Sequence, residues 1–157
     1  MSMTLVAFFS ATGKTRALAE RISKILGADL YEIEPQEKYT KADLIWVNPF
    51  SRSSKEMKNK SSRPAIKDQP LDLSKYDTIY LGFPIWWYVA PTIVNTFLEK
   101  FDFSGKKIIP FATSGGSKMG GTNAGLQVSC PNASLLEGDV LNKMTDEQLA
   151  DWLKTHC

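Results

Sequence analysis

Apolar and polar positions follow two rhythms along this chain. Leu5-Val6-Ala7-Phe8-Phe9 is a short, unbroken apolar run of the kind that forms a strand buried on both faces. After it, Leu18, Ile22, Ile25 and Leu26 recur at the spacing of one helical face, in a helix that starts near Lys14 and that Gly27 closes. Leu30-Tyr31-Glu32-Ile33 alternates, as an edge strand with one wetter face does. Residues 78–83 and 107–112 are two further, largely apolar strands. Between them Pro91 marks a helix start, and Ile93, Val94, Phe97, Leu98 and Phe101 form its buried stripe. Leu135-Leu136 and Val140-Leu141 make the last strand region. Thr145-Asp146-Glu147-Gln148 then reads as a capping box for a final helix that buries Leu149, Trp152 and Leu153.

Strands alternating with helices predict a parallel sheet covered on both faces. Ligands of such sheets bind at the carboxyl ends of the strands, at the topological switch point. The unusual residues of this chain fall there: 10–15 after the first strand, 84–91 after the third and 113–122 after the fourth. Residues 39–73 do not fit a minimal strand–helix repeat. Within them Arg52, Lys55, Lys58, Lys60 and Arg63 stand against a single Glu56, so the segment 52–63 is either a patch for an acidic partner or nucleic acid, or a solvated surface. No aromatic residues interleave with these charges, which favours the solvated surface.

Composition narrows the class. The 157 residues suit one domain spanning 1–157, and 43% hydrophobic with 23% charged residues is an ordinary globular balance. A net charge of +2 makes no case for nucleic acid. No apolar stretch reaches membrane-span length and no signal-type segment opens the chain, so the cytoplasm is the expected location. Cys130 and Cys157 lie far apart without ligand-like spacing and read as free thiols. The lone histidine, His156, is penultimate, which leaves almost nothing from which to build a metal site or a histidine triad.

The three loops carry the chemistry. Gly13-Lys14-Thr15 suggests a nucleoside-triphosphate loop, but the glycine that motif needs five residues earlier is Phe8. A dinucleotide fingerprint is absent as well. What remains is a hydroxyl-rich turn at a helix start, suited to a monophosphate: Ser10, Thr12 and Thr15 donate, Gly13 permits close approach and Lys14 adds charge. The second loop, Gly82-Phe83-Pro84-Ile85-Trp86-Trp87-Tyr88, carries three consecutive aromatics that can stack on a planar ring. The third, Thr113-Ser114-Gly115-Gly116-Ser117, is rich in glycine, so its amides can approach the polar edge of a heterocycle.

In this order and at these strand ends, the loops resemble those of the flavodoxins, and the likeness spans essentially the whole chain. Ser51-Arg52-Ser53-Ser54 followed by Arg63-Pro64 is similar to a bacterial flavodoxin-like subgroup that also carries the Pro-Ile-Trp-Trp loop. The resemblance implies a three-layer α/β fold, a five-stranded parallel sheet in the order 2-1-3-4-5 with helices on both faces, and non-covalent FMN. It assigns Ser10, Thr12, Gly13, Lys14 and Thr15 to the FMN phosphate. It assigns Pro84, Ile85, Trp86, Trp87 and Tyr88 to the ring, with Trp86 as stacking partner, and Thr113, Ser114, Gly115 and Gly116 to the ring's pyrimidine edge. The implied role is an electron carrier, monomeric or weakly dimeric, between a reductase and redox partner proteins.

Four departures modify that picture. Lys14 stands where the family often has asparagine. Trp87 stands where short-chain members commonly have a glycine whose peptide flips on reduction; a tryptophan resists positive φ, which implies weaker stabilisation of the one-electron-reduced flavin. No tyrosine or tryptophan lies within 113–122 to cover the second flavin face, leaving Met119 or the Lys118 stem. The chain is slightly basic where carrier flavodoxins are acidic. The last two leave room for an FMN-dependent reductase that admits a nicotinamide or a quinone. A scaffold without flavin is the third reading, and it leaves three ligand-shaped loops unexplained.

Overall fold

The computed structural model describes residues 3–156 except 12, 45–47, 49, 60, 87–88, 115–118 and 120–121. Its strands are β1 (Met3–Phe8), β2 (Asp29–Glu32), β3 (Tyr76–Pro84), β4 (Lys107–Thr113), β5 (Ser134–Leu135) and β6 (Asp139–Val140). Its helices are α1 (Lys14–Leu26), α2 (Arg52–Lys58), α3 (Thr92–Lys100), α4 (Thr122–Gln127) and α5 (Asp146–His156). Every strand pairing is parallel, in the order β2-β1-β3-β4-β5, with β6 also on β4. The expected strand order is therefore observed.

The unbroken apolar runs arise because both sheet faces are covered. Leu5, Ala7, Phe9, Ile79, Leu81, Phe83, Ile108 and Ala112 share one core with Ile93, Val94, Phe97 and Leu98 of α3. The alternate positions Val6, Phe8, Tyr80, Ile109 and Phe111 share the other with Leu18, Ala19 and Ile22 of α1 and Leu149 and Leu153 of α5. Period-two alternation thus feeds two layers. Ile25, expected on the buried face of α1, is instead 38% exposed, because the stripe ends at Ile22 with Leu26 only partly covered. Phe101 packs on the core from just past the end of α3.

The helix ends follow the sequence signals. Gly27 closes α1 at φ 63°, and the next amide, Ala28 N–H, donates to Ser23 O (3.0 Å). At α5, Thr145 N–H donates to Gln148 Oε1 (2.9 Å) while Gln148 N–H donates to Thr145 Oγ1 (3.2 Å), a reciprocal capping box.

The last strand region lies where the two expected apolar pairs place it, shifted by one residue. It is two short pieces, and Ile108↔Leu135 and Phe111↔Asp139 show that it uses one more residue than β4 does between those pairs. The interruption lies opposite Pro110, which has no N–H to donate to a neighbouring strand. Gly138 crosses there so closely that a Cβ would sit 2.1 Å from Pro110 O.

The described residues of 39–73 form a strap that carries α2 rather than another strand–helix unit. Pro35 and Ile66 make an antiparallel bridge, with Gln36 N–H donating to Ala65 O (2.9 Å) and Lys67 N–H to Glu34 O (2.8 Å). The strap covers part of the sheet edge beyond β2 and buries Ile66 and Leu73. Two cations of the basic segment are paired, Arg52 with Glu56 and Arg63 with Glu99, while Lys55 and Lys58 are exposed.

Glu99 also accepts from Ser129 Oγ (2.6 Å), and that bond, with the Arg63 bond and charge, holds its carboxyl below the ordinary 4.5. A depressed folded value contributes stability above the unfolded value, lost as pH falls through the folded one. The Tm advantage of the natural protein over Glu99→Gln should therefore shrink steadily below about pH 4.5. It should be modest, because the side chain is 43% exposed. A thermal-melt series across that range reads it, and a constant difference would sink the assignment. Cys130 is buried and free, and burial raises its thiol; Cys157 lies outside the described residues.

Candidate functional site

The loop after β1 makes a cradle. Phe9 N–H donates to Gly82 O (2.9 Å), which carries the β1–β3 ladder to the strand end. The chain then turns through Gly13 at φ 93°, and Ser10 Oγ accepts from Gly13 N–H (3.0 Å). Accepting that bond leaves the Ser10 hydroxyl hydrogen available to a ligand. Gly13 caps α1 without a side-chain hydrogen bond, and no acid stands in the first turn, where Lys14 and Arg16 lie. An uncapped helix start with positive charge nearby fits an anion.

The loop after β3 is built on aromatic contacts. Ile85 N–H donates to Thr113 O (2.9 Å), tying this loop to β4. Trp86 and Val89 exchange backbone hydrogen bonds (2.9 and 3.1 Å). The Trp86 ring meets Phe9 and Tyr39 edge-on, at 6.0 and 5.5 Å between centroids. Behind Tyr39 the Arg52 guanidinium lies 3.9 Å from the ring centroid. The Tyr39 hydroxyl donates to Glu56, which also accepts from Arg52 Nε (2.9 Å), and Arg52 Nη1 donates to Glu37 O (2.8 Å). Burial first, then the bond to Glu56, pushes the Tyr39 phenol well above its usual range, so it stays protonated. The strap residues therefore wall the aromatic loop, a role sequence reasoning missed. The available signal was the Arg52–Glu56 pair at helical spacing, but nothing in it points to Tyr39.

The loop after β4 starts at Thr113 and Ser114. Ser114 N–H donates to Asn142 Oδ1 and Asn142 Nδ2 donates to Ser114 O, both at 3.2 Å, so one side-chain amide pins the loop's first residue. Asn142 was not foreseen either. Thr15 and Thr113, 2% and 4% exposed, join their hydroxyls at 2.8 Å and so link the first and third loops.

Of the residues singled out from sequence, Ser10, Gly13, Lys14, Thr15, Pro84, Ile85, Trp86, Thr113 and Ser114 come together at the carboxyl edge of the sheet. Thr12, Trp87, Tyr88, Gly115 and Gly116 lie outside the described residues, as does Lys118. A hollow of about 230 Å³ adjoins the first loop, lined by Ser10, Ala11, Gly13, Arg16, Glu32, Glu34, Pro35, Lys38 and Tyr39. Its charges are partly matched, Arg16 with Glu32 and Glu34 with Lys67. A somewhat larger hollow of about 260 Å³ lies among Phe103, Ser104, Ser129 and Cys130, at the amino ends of β4 and β5. It is remote from the loops, so size does not mark the site here. Among the described residues no cluster of His, Cys, Asp and Glu suits a metal ion.

The sequence matches the flavodoxin family model across residues 3–156. The chain belongs to the flavodoxin family. It is 31% identical over 115 residues to Flavodoxin 1 of Escherichia coli K12, a match covering 71% of this chain and 49% of the relative. It thus spans about half the length of the curated relatives it matches. A solved protein of Bacteroides uniformis classed as a flavoprotein superposes with a TM-score of 0.93 at 47% identity, covering 98% of both chains. One of Bacteroides eggerthii, likewise classed, gives 0.93 at 44%, covering 99% of this chain and 98% of that one. A flavoprotein of Lactobacillus acidophilus, solved in complex with FMN, shares the fold at 20% identity and a TM-score of 0.74, over 94% and 99% of the two chains. Among the described residues of this flavodoxin-family chain, no helix is long and apolar enough to cross a membrane.

Proposed function

We propose that this flavodoxin-family protein binds FMN non-covalently and carries electrons between a reductase and acceptor proteins in a bacterial cytoplasm. The observation that supports it most is the helix start at Gly13: a cap residue with no side chain, a first turn free of acid, and a place at the same sheet edge as the loops after β3 and β4. In this reading Ser10, Thr12, Gly13, Lys14 and Thr15 hold the phosphate. Pro84, Ile85, Trp86, Trp87 and Tyr88 shield the ring from water, and Thr113, Ser114, Gly115 and Gly116 meet its polar edge. Bound FMN supplies one- and two-electron chemistry, and the chain's own residues bind it, orient it and exclude solvent. The complex of the Lactobacillus acidophilus relative with FMN supports the choice of cofactor.

The competing reading is direct reduction by a nicotinamide, favoured by the net charge of +2, which gives little steering toward basic partner surfaces. Anaerobic mixing of the FMN-loaded protein with NADH and NADPH separates the two. Oxidised-flavin absorbance that persists until a separate reductase is added is the expected result. Prompt bleaching by the nicotinamide alone would replace the carrier with an FMN-dependent reductase. A purified protein that neither carries nor binds FMN would remove both.

A further inference from the structure

Thr15 opens α1 and Thr113 ends β4, 98 residues apart in sequence, yet their hydroxyl oxygens lie 2.8 Å from each other in a buried setting. Each hydroxyl carries one hydrogen and can accept two bonds. A single mutual bond uses one of the two hydrogens, and among the described residues no protein acceptor takes the other. Were Thr15 the donor, the spare hydrogen would be that of Thr113, on the strand side. Were Thr113 the donor, the spare hydrogen would be that of Thr15, in the first turn of the uncapped helix where an anion fits. A phosphate oxygen accepts only, so the second arrangement alone satisfies Thr113, Thr15 and a phosphate together.

We infer that Thr113 is a positioning residue for the phosphate site: its hydroxyl donates to Thr15 Oγ1 and so turns the Thr15 hydroxyl hydrogen toward the ligand phosphate. This gives Thr113 a second task beside the ring's polar edge, and it rests on the FMN reading above. An accepted hydrogen bond also polarises the Thr15 hydroxyl and makes it a better donor. Thr113 O meanwhile accepts from Ile85 N–H (2.9 Å), so the residue is anchored to the aromatic loop through its backbone, independently of its hydroxyl.

The two tasks separate by comparing FMN with riboflavin, which has the same ring and no phosphate. Thr113→Val keeps the shape and removes the donor; Thr113→Ser keeps the donor. Flavin-fluorescence titrations of the apoprotein should show Thr113→Val weakening FMN about five- to tenfold more than it weakens riboflavin, and Thr113→Ser restoring the FMN preference. The double variant Thr15→Val/Thr113→Val should bind FMN no more weakly than Thr15→Val alone, since the second change removes a bond already lost. Far-UV circular dichroism and Tm verify that each variant is folded, and Thr113→Ala, alone and combined with Thr15→Val, carries the cycle if Thr113→Val is not. Equal losses for FMN and riboflavin, no loss for either, or additive losses in the double variant would overturn the inference. If the natural protein binds FMN no more tightly than riboflavin, the phosphate site itself is wrong and the inference goes with it; an FMN preference left unchanged in size by Thr113→Val removes only the inference.

Discussion

Replacing Gly13 by valine is expected to abolish tight FMN binding while leaving the sheet in place. Gly13 has φ 93°, in the left-handed region that a β-branched residue adopts only under strain. Space is not the issue, since a Cβ at this position would have no heavy atom within 4 Å. The substitution therefore acts on the backbone path. A valine pulls the turn toward negative φ and so reorients the first amides of α1, which hold the phosphate in the FMN reading. Each hydrogen bond to a charged acceptor is worth roughly 1.5–3 kcal/mol, so losing two weakens FMN by about a hundredfold or more. Riboflavin, held through its ring, should change by no more than about threefold in the same titration, because no phosphate bond is at stake. Gly13→Asn should fall between the natural protein and the valine variant, since asparagine tolerates this backbone region better. Equal weakening of FMN and riboflavin would show that the loop shapes the ring site, and an unchanged FMN affinity would end its role as the phosphate cradle.

How much of this was legible beforehand depended on the range of the interaction. The strands were readable because burial on both faces leaves unbroken apolar runs such as Leu5-Val6-Ala7-Phe8-Phe9, and the caps of α1 and α5 because a cap is decided within a few residues. Three loops could be placed at strand ends for the same local reason. Ile25 was misread because periodicity gives the phase of a helix face but not how far the sheet beneath it extends. The wall around Trp86 was not readable: Tyr39, Arg52 and Glu56 are brought together by the path of the strap, which carries no periodic signal. The contacts between Thr15 and Thr113 and between Ser114 and Asn142 are tertiary and involve ordinary polar residues. The break in the last strand had a visible cause in Pro110, but only the pairing partner shows that a proline there matters.

That break makes Gly138 a position where one added methyl group should cost much stability. A Cβ on Gly138 would lie 2.1 Å from Pro110 O, 2.8 Å from Pro110 C and 2.8 Å from its Cβ. Two of these atoms are backbone of a central strand and cannot swing aside as a side-chain tip can. Relief must come from moving residues 136–138 off β4, and the downstream contacts depend on that segment. Leu141 N–H donates to Ala112 O (2.9 Å), the Leu141 side chain is fully buried, and Asn142 pins Ser114. Gly138→Ala is therefore expected to lose about 3 kcal/mol, roughly 6–12 °C of Tm in a chain of this size. Gly125→Ala is the control: within α4 an added Cβ meets nothing within 4 Å, so better helix propensity should leave stability unchanged or raise it by up to about 1 kcal/mol. Urea denaturation of both variants beside the natural protein measures the difference. A Gly138→Ala midpoint matching that of Gly125→Ala would mean the fifth strand gives way freely at Pro110. The split would then be a loose edge, and the anchoring of the third loop through Asn142 would lose its structural basis.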